Sequence, residues 1–249
     1  MVAVTGMHRS GTSCITGLLC RCGFSLGFSH PLLNDPRPDN AKGHHENLGV
    51  LAINETILKT AGGSWYQVPN AFSIDQAGEA LGTHIQAFND SFDGSVVKDP
   101  RLSLTISSWR RFCSQLDTVV FCVRNPIGVA LSLQRRDGLP IETGLNLWLQ
   151  YNTRFLQAVG DMKVVYFSFD FPAENMTENL TGILQALGRD IDQNTIKDSV
   201  ENFFDSSLNH DTAGAALLNR LPANFINLYT LLCKKADKST RLSAANQVR

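Results

Sequence analysis

Val2-Ala-Val-Thr-Gly-Met-His-Arg-Ser-Gly-Thr-Ser13 is the stretch on which the fold turns. Residues 2–5 are apolar with two valines, the composition of a short buried strand. Residues 13–22 carry Ile15, Leu18 and Leu19 at helical spacing, and Gly23 is a stop signal. The octet from Gly6 to Ser13 joins the two. Its glycines permit tight backbone geometry, successive N–H groups can surround an anion, and the helix turns its positive end toward the same point. Arg9 adds charge, and Thr12 and Ser13 add hydroxyl donors. In this setting a glycine-rich octet reads as a phosphate-binding loop.

Farther along the chain, residues 95–97, 118–123 and 163–167 are short β-branched runs without clean alternation, the pattern of central parallel strands. Helical patterns follow at 102–112, 127–133 and 144–159, the last with Leu145, Trp148, Leu149, Asn152 and Leu156 on one repeat. This alternation predicts an α/β fold with a parallel sheet. Residues 31–45, rich in Pro, Asn, Asp, Gly and His, predict an irregular crossover above the sheet's ligand-binding edge. A helix follows at 48–60, and another at 76–88 has its period blurred by Gly78 and Gly82. Residues 174–187 read as a helix and the remainder as shorter helices, with 234–249 a polar tail that frays. With no repeat or linker, 1–249 reads as one domain, divided into a nucleotide-binding α/β core at 1–170 and a mainly helical part at 171–249.

A chain of 249 residues, 43% hydrophobic, has enough apolar material for a sizeable core. Lys and Arg total 22 against 23 Asp and Glu, so the net charge of −1 supplies no broad positive field for nucleic acid or an anionic membrane. Any anion site must be local. The start of the chain lacks a charged leader with a long apolar tract, and no apolar run approaches the roughly 20 residues of a membrane span, so a cytoplasmic protein without a transmembrane segment is expected. The cysteines at 14, 20, 22, 113, 122 and 233 show no zinc or CxxC spacing and read as core thiols. The aromatic residues Trp65, Tyr66, Phe72, Trp109, Trp148 and Tyr151 read as packing residues.

The strict ATPase and GTPase loop is GxxxxGK[ST]; here Thr12 stands at the lysine position and Ser13 at the magnesium-ligating one. A kinase would also need a carboxylate after a neighbouring strand, and Asp99 is the candidate. The octet instead resembles the 5'-phosphosulfate loop of the sulfotransferase family, in which a basic residue, here Arg9, precedes Ser-Gly-Thr-Thr/Ser. Val123-Arg-Asn-Pro-Ile-Gly-Val-Ala-Leu-Ser132 resembles that family's 3'-phosphate motif, an arginine at a strand end with a serine eight residues on. Pro126 suits a helix start, so Arg124 and Ser132 can bracket one phosphate. Lys98-Asp-Pro-Arg101 resembles a strand-end signature of tyrosylprotein and bacterial members, and Gly144-Leu-Asn-Leu-Trp148 with Tyr151 extends the likeness. The Gly-x-x-Gly-x-x-Lys segment of cytosolic small-molecule members is missing, so the resemblance, which covers about residues 1–170, is closer to bacterial and Golgi-type branches.

The resemblance implies a three-layer P-loop-like fold and transfer of a sulfuryl group from 3'-phosphoadenosine 5'-phosphosulfate (PAPS), leaving adenosine 3',5'-bisphosphate (PAP), with no obligatory metal. The acceptor is a hydroxyl or amine of a small molecule, carbohydrate, lipid or peptide. Nucleotide-binding residues are then Gly6, His8, Arg9, Ser10, Gly11, Thr12, Ser13, Arg124 and Ser132. Arg9 also meets charge growing on the donor's bridging oxygen. The base lies among His44, His45 and Glu46, with the resemblance favouring Glu46, and Lys98 and Arg101 orient sulfonate or acceptor. Arg135 and Arg136 can reach the 3'-phosphate. Plainer readings stand beside these: Glu46 capping the helix near Leu48, Lys98 paired with Asp99, and Arg101 solvated. Two other function classes compete, a Mg-ATP-dependent P-loop kinase and a noncatalytic nucleotide-binding module.

Overall fold

A computed structural model describes residues 1–33, 43–205 and 217–244, with side chains as far as 239. The middle of the expected crossover, 34–42, and the last five residues of the expected tail lie outside the described residues. Four strands, β1 (Val2–Gly6), β4 (Val96–Lys98), β5 (Thr118–Val123) and β6 (Lys163–Ser168), form one sheet in the order β4-β1-β5-β6, every pairing parallel. A separate two-residue ladder joins β2 (Leu32–Leu33) antiparallel to β3 (Glu46–Asn47), so the start of the crossover pairs with the residues just after it.

Strand side chains alternate between the two faces, and helices cover both. Val2, Val4, Val96, Val120, Cys122, Val165 and Phe167 pack toward α1 (Thr12–Arg21), α8 (Met176–Ala186) and α9 (Gln193–Phe203). Ala3, Val97, Val119, Phe121, Val123 and Tyr166 pack toward α2 (Leu48–Thr60), α3 (Ala71–Ala80), α4 (Gly82–Ser91), α5 (Leu102–Phe112), α6 (Pro126–Asp137) and α7 (Ile141–Ala158). The architecture is therefore α/β, a central parallel sheet flanked by helices, as the sequence predicts.

Helix boundaries follow local chemistry. Asn47, not Glu46, caps α2, its Oδ1 accepting from the N–H groups of Gly49 at 2.9 Å and Val50 at 3.3 Å. Asn125 caps α6 with Pro126 in the first turn, and Gly138 ends it at φ 69°. The single helix expected at 76–88 is two, α3 and α4. A Cβ on Gly78 would collide with Ser108 and one on Gly82 with the Phe112 ring, so these glycines let the pair lie against α5 and thereby hide their apolar period.

The tail expected to fray from 234 belongs instead to a long helix, α10 (Ala223–Ala244). Leu232 and Ala236 are fully buried, and the Lys235 ammonium lies 5.2 Å from the Tyr166 ring centroid. Ser239 Oγ accepts the Tyr166 N–H at 3.1 Å. The outer edge of β6 is thus covered, which a parallel sheet requires. Trp109, Trp148 and Tyr151 are fully buried packing residues, whereas Tyr66 and Phe72 are exposed. All six cysteines are free thiols, and Cys14, Cys20 and Cys233 are only half-buried rather than in the core. No helix among the described residues is long and apolar enough to cross a membrane.

Candidate functional site

The helix after β1 lies on one face of the sheet, and those after β4 and β5 on the other. In open α/β sheets this arrangement opens a crevice at the carboxyl ends of the strands. Four loops meet there: the octet after β1, Lys98–Arg101 after β4, Arg124 and Asn125 after β5, and Phe169 and Asp170 after β6.

Two glycines of the octet are required by contact. A Cβ on Gly6, at φ 145°, would strike the Cys122 carbonyl of the paired strand, and one on Gly11, at φ 86°, would enter the Phe169 ring. The root of the loop is tied to the neighbouring strand end. Thr5 Oγ1 donates to the Asp99 carbonyl at 2.9 Å and meets Ser103 Oγ at 2.9 Å, while the Gly6 N–H donates to Ser103 Oγ at 3.1 Å. The Ser10 N–H closes a turn onto the Met7 carbonyl at 3.1 Å. No side chain caps α1, whose first turn begins at Thr12. Ser13 Oγ donates to the His44 carbonyl at 3.3 Å and so ties the helix start to the crossover.

Arg9 has φ 69°, a left-handed conformation unfavourable for a side chain of its size. Two contacts hold it there: its Nε donates to Ser132 Oγ at 2.9 Å, and an Arg124 guanidinium nitrogen donates to its carbonyl at 2.9 Å. Arg124 is itself set by Trp148, whose Nε1 donates to the Arg124 carbonyl at 2.8 Å, and by the Phe169 ring, 5.6 Å beneath the guanidinium. The arginine of the first motif and the arginine and serine of the second form one cluster. Beside it, the Asp170 carboxylate accepts from the Asn125 N–H at 2.6 Å and the Tyr229 hydroxyl at 2.9 Å. Desolvation by the packed chain around it raises its pKa against the opposing pull of Tyr229, Asn125 and Arg124, although the residue keeps an exposed edge.

A second group of charges lies at the end of β4. Lys98 Nζ pairs with Glu46 Oε1 at 2.7 Å, both side chains buried. Burial alone would raise the Glu46 pKa, but the Lys98 charge and hydrogen bond, with Arg101 and His44, bring it below the ordinary carboxylate range. Asp99 is fully buried and spends its oxygens on Arg101 and on Asn54: Oδ1 accepts from the Arg101 N–H at 2.9 Å and guanidinium at 3.0 Å, Oδ2 from Asn54 Nδ2 at 3.0 Å. Asn54 Oδ1 in turn accepts from Thr105 Oγ1 and Trp109 Nε1, each at 2.8 Å. Arg101 also reaches Glu55 at 3.0 Å. Lys98 is therefore paired with Glu46 and not Asp99, and Arg101 is buried and not solvated.

The three candidate bases diverge. Glu46 faces Lys98, and His44 is half-buried and acts electrostatically on Glu46. His45, at φ 54°, turns its ring toward Gly17 and Phe203 on the α1 side of the sheet. His8 is buried between Trp65 and Tyr151, and Arg136 lies 5.4 Å from the Trp65 ring. Sequence reading gave no role to Asn54, Ser103, Phe169 or Asp170. A polar Asn among the apolar positions of α2 was the one signal available for Asn54.

No family model matches the chain, and no curated protein matches it significantly. Among solved structures, it is similar to sulfotransferase STF1 from Mycobacterium tuberculosis H37Rv, at 12% identity and TM-score 0.45 over 87% of this chain and 74% of that one. It is also similar to the sulfotransferase domain from the curacin biosynthetic pathway, at 13% identity and TM-score 0.46 over 100% of this chain and 97% of that one.

Proposed function

We propose that the protein is a sulfotransferase that moves a sulfuryl group from PAPS to a hydroxyl or amine, leaving PAP. The observation that carries this reading is the cluster of Arg9, Ser132 and Arg124 beside a lysine-free phosphate loop. Together they offer two cationic side chains, a hydroxyl and the loop amides to more than one phosphate group. Arg9, Ser10, Gly11, Thr12 and Ser13 take the 5'-phosphosulfate, and Arg124 and Ser132 the 3'-phosphate.

In transfer, the acceptor oxygen or nitrogen bonds to sulfur as the bond from sulfur to the bridging oxygen breaks, and PAP leaves with the electron pair. Arg9 and the loop amides meet the charge growing on that oxygen. Lys98 turns to the sulfonate, which releases Glu46, and the freed carboxylate takes the acceptor's proton. Asp99 argues against the kinase reading, since both its oxygens already accept hydrogen bonds, Oδ1 from Arg101 and Oδ2 from Asn54.

Isothermal titration of the protein with PAP, adenosine 5'-monophosphate and Mg-ATP tests the assignment. PAP should bind far more tightly than the other two, and excess chelator should leave that affinity unchanged. Preference for Mg-ATP, with phosphoryl transfer abolished by chelation, would establish the kinase. PAP binding without transfer to any acceptor would leave a nucleotide-binding module.

A further inference from the structure

His8 occupies the third position of the phosphate loop and is only 7% exposed. Its Nε2 has no hydrogen-bond partner among the described residues. The Trp65 ring lies 4.6 Å away, centroid to centroid, and Tyr151 stands edge-on at 5.8 Å. Four cations act on the imidazole, Arg101 most strongly, then Arg136, Lys98 and Arg9. The nearby carboxylates are engaged by those cations: Glu46 with Lys98, Asp99 and Glu55 with Arg101, and Asp137 with Arg136. An imidazole so placed is a buried titratable group ringed by four cations, of which Lys98, Arg101 and Arg136 are already paired with carboxylates.

We infer that His8 binds a proton together with the donor and, as an imidazolium, gives its Nε2–H to the donor's phosphosulfate group, an inference that rests on the donor assignment above. Burial first, and then the four cations, hold the pKa of the free protein's His8 well below the usual histidine value. Phosphate and sulfonate oxygens bring negative charge to those same cations and remove the repulsion. They also supply an acceptor for His8 Nε2, a buried nitrogen without a hydrogen-bond partner among the described residues, and a charge-assisted hydrogen bond offsets its desolvation. The proton comes from solvent, and no other bond changes.

The sign follows from linkage. Donor binding raises the imidazole pKa, so protons are taken up between the free and bound pKa values, and affinity strengthens as pH falls through that window. Above the bound value His8 stays neutral in both states and contributes no pH dependence.

The test is calorimetric titration with PAP in buffers of different ionisation enthalpy, on the wild-type chain and on His8→Gln, which keeps a polar side chain but cannot titrate. The nucleotide's own phosphates titrate near pH 6, so the comparison between the two proteins carries the result. Wild type should take up more protons than His8→Gln, and its affinity advantage should grow roughly tenfold between pH 8.5 and pH 6. The same advantage at every pH would mean a structural role and overturn the inference. If His8→Gln does not fold, ¹⁵N ring shifts of wild-type His8 replace it: PAP must move the titration upward, and an unmoved titration overturns the inference. Failure of PAP to bind at all would remove the donor assignment as well, whereas binding with a flat pH ratio removes only the proton linkage.

Discussion

Arg9 Nε donates to Ser132 Oγ at 2.9 Å across 123 residues of sequence. The contact joins a loop after the first strand to the middle of α6, and Arg124 completes it by holding the Arg9 carbonyl. A non-glycine residue with left-handed backbone costs about 1–2 kcal/mol, so the contacts that retain it set the loop before any ligand arrives. The resemblance assigned Arg9 and Arg124 to opposite ends of a donor, and the structure brings them into one cluster.

Substitutions in this cluster should affect PAP more than adenosine 5'-monophosphate. Ser132→Ala should weaken PAP binding about tenfold and Arg124→Ala about 10²-fold, the range for losing hydrogen bonds to a charged group. Titration with both nucleotides checks this, and an equal loss for the two would remove the second phosphate from the site.

Gly11→Ala places a methyl in the Phe169 ring at a backbone conformation of φ 86°. Strain and collision together should cost about 2 kcal/mol or more, read from urea unfolding midpoints. Gly11→Ala/Phe169→Ala relieves the collision and leaves the backbone strain, so it should recover part of the loss relative to Phe169→Ala alone.

Lys98→Met leaves the Glu46 carboxylate buried without its partner and should destabilise the fold by about 3–5 kcal/mol, with much of the loss recovered in Lys98→Met/Glu46→Gln. The lowered Glu46 pKa means that its contribution is present above the unfolded-state carboxylate value and lost as pH falls through the lower folded value. Acid unfolding of Glu46→Gln should therefore be flatter than that of wild type. With an acceptor in hand, Glu46→Gln should keep PAP affinity and lose about 10²-fold in turnover, as for a lost general base. Undiminished turnover would exclude Glu46 as the base.

Ending the chain after Cys233 removes the Ala236 contact, the Lys235 cover on Tyr166 and the Ser239 hydrogen bond to the edge of β6. Thermal unfolding should move down by several degrees, since about 1 kcal/mol corresponds to roughly 2–4 °C in a domain of this size. An unchanged midpoint would mean that this stretch adds nothing to the core.

The α/β class, the strand–loop–helix at the start and the nearly complete set of strands were legible because they depend on local pattern: short β-branched runs and the 3.6-residue period. The loop chemistry named Arg9, the position after a strand named Lys98 and Arg101, and the family resemblance named Arg124 and Ser132. Partnerships were not legible, because they depend on which strand ends lie side by side. Sequence neighbourhood suggested Lys98 with Asp99, yet the strand direction at the end of β4 sends Lys98 to Glu46, while Asp99 accepts from Asn54 and Arg101. Helix boundaries were misread where tertiary contact overrode the period: at Gly78 and Gly82, selected for close approach to α5, and after Lys234, where polar residues alternate with a buried stripe against β6. By itself the sequence determined the strands of the main sheet, most of its helices and the chemical types gathered at the strand ends. Only the tertiary structure decided which charge neutralises which, because ion pairing and desolvation are set by distance in space, and the β4-β1-β5-β6 order brings together residues far apart in the chain.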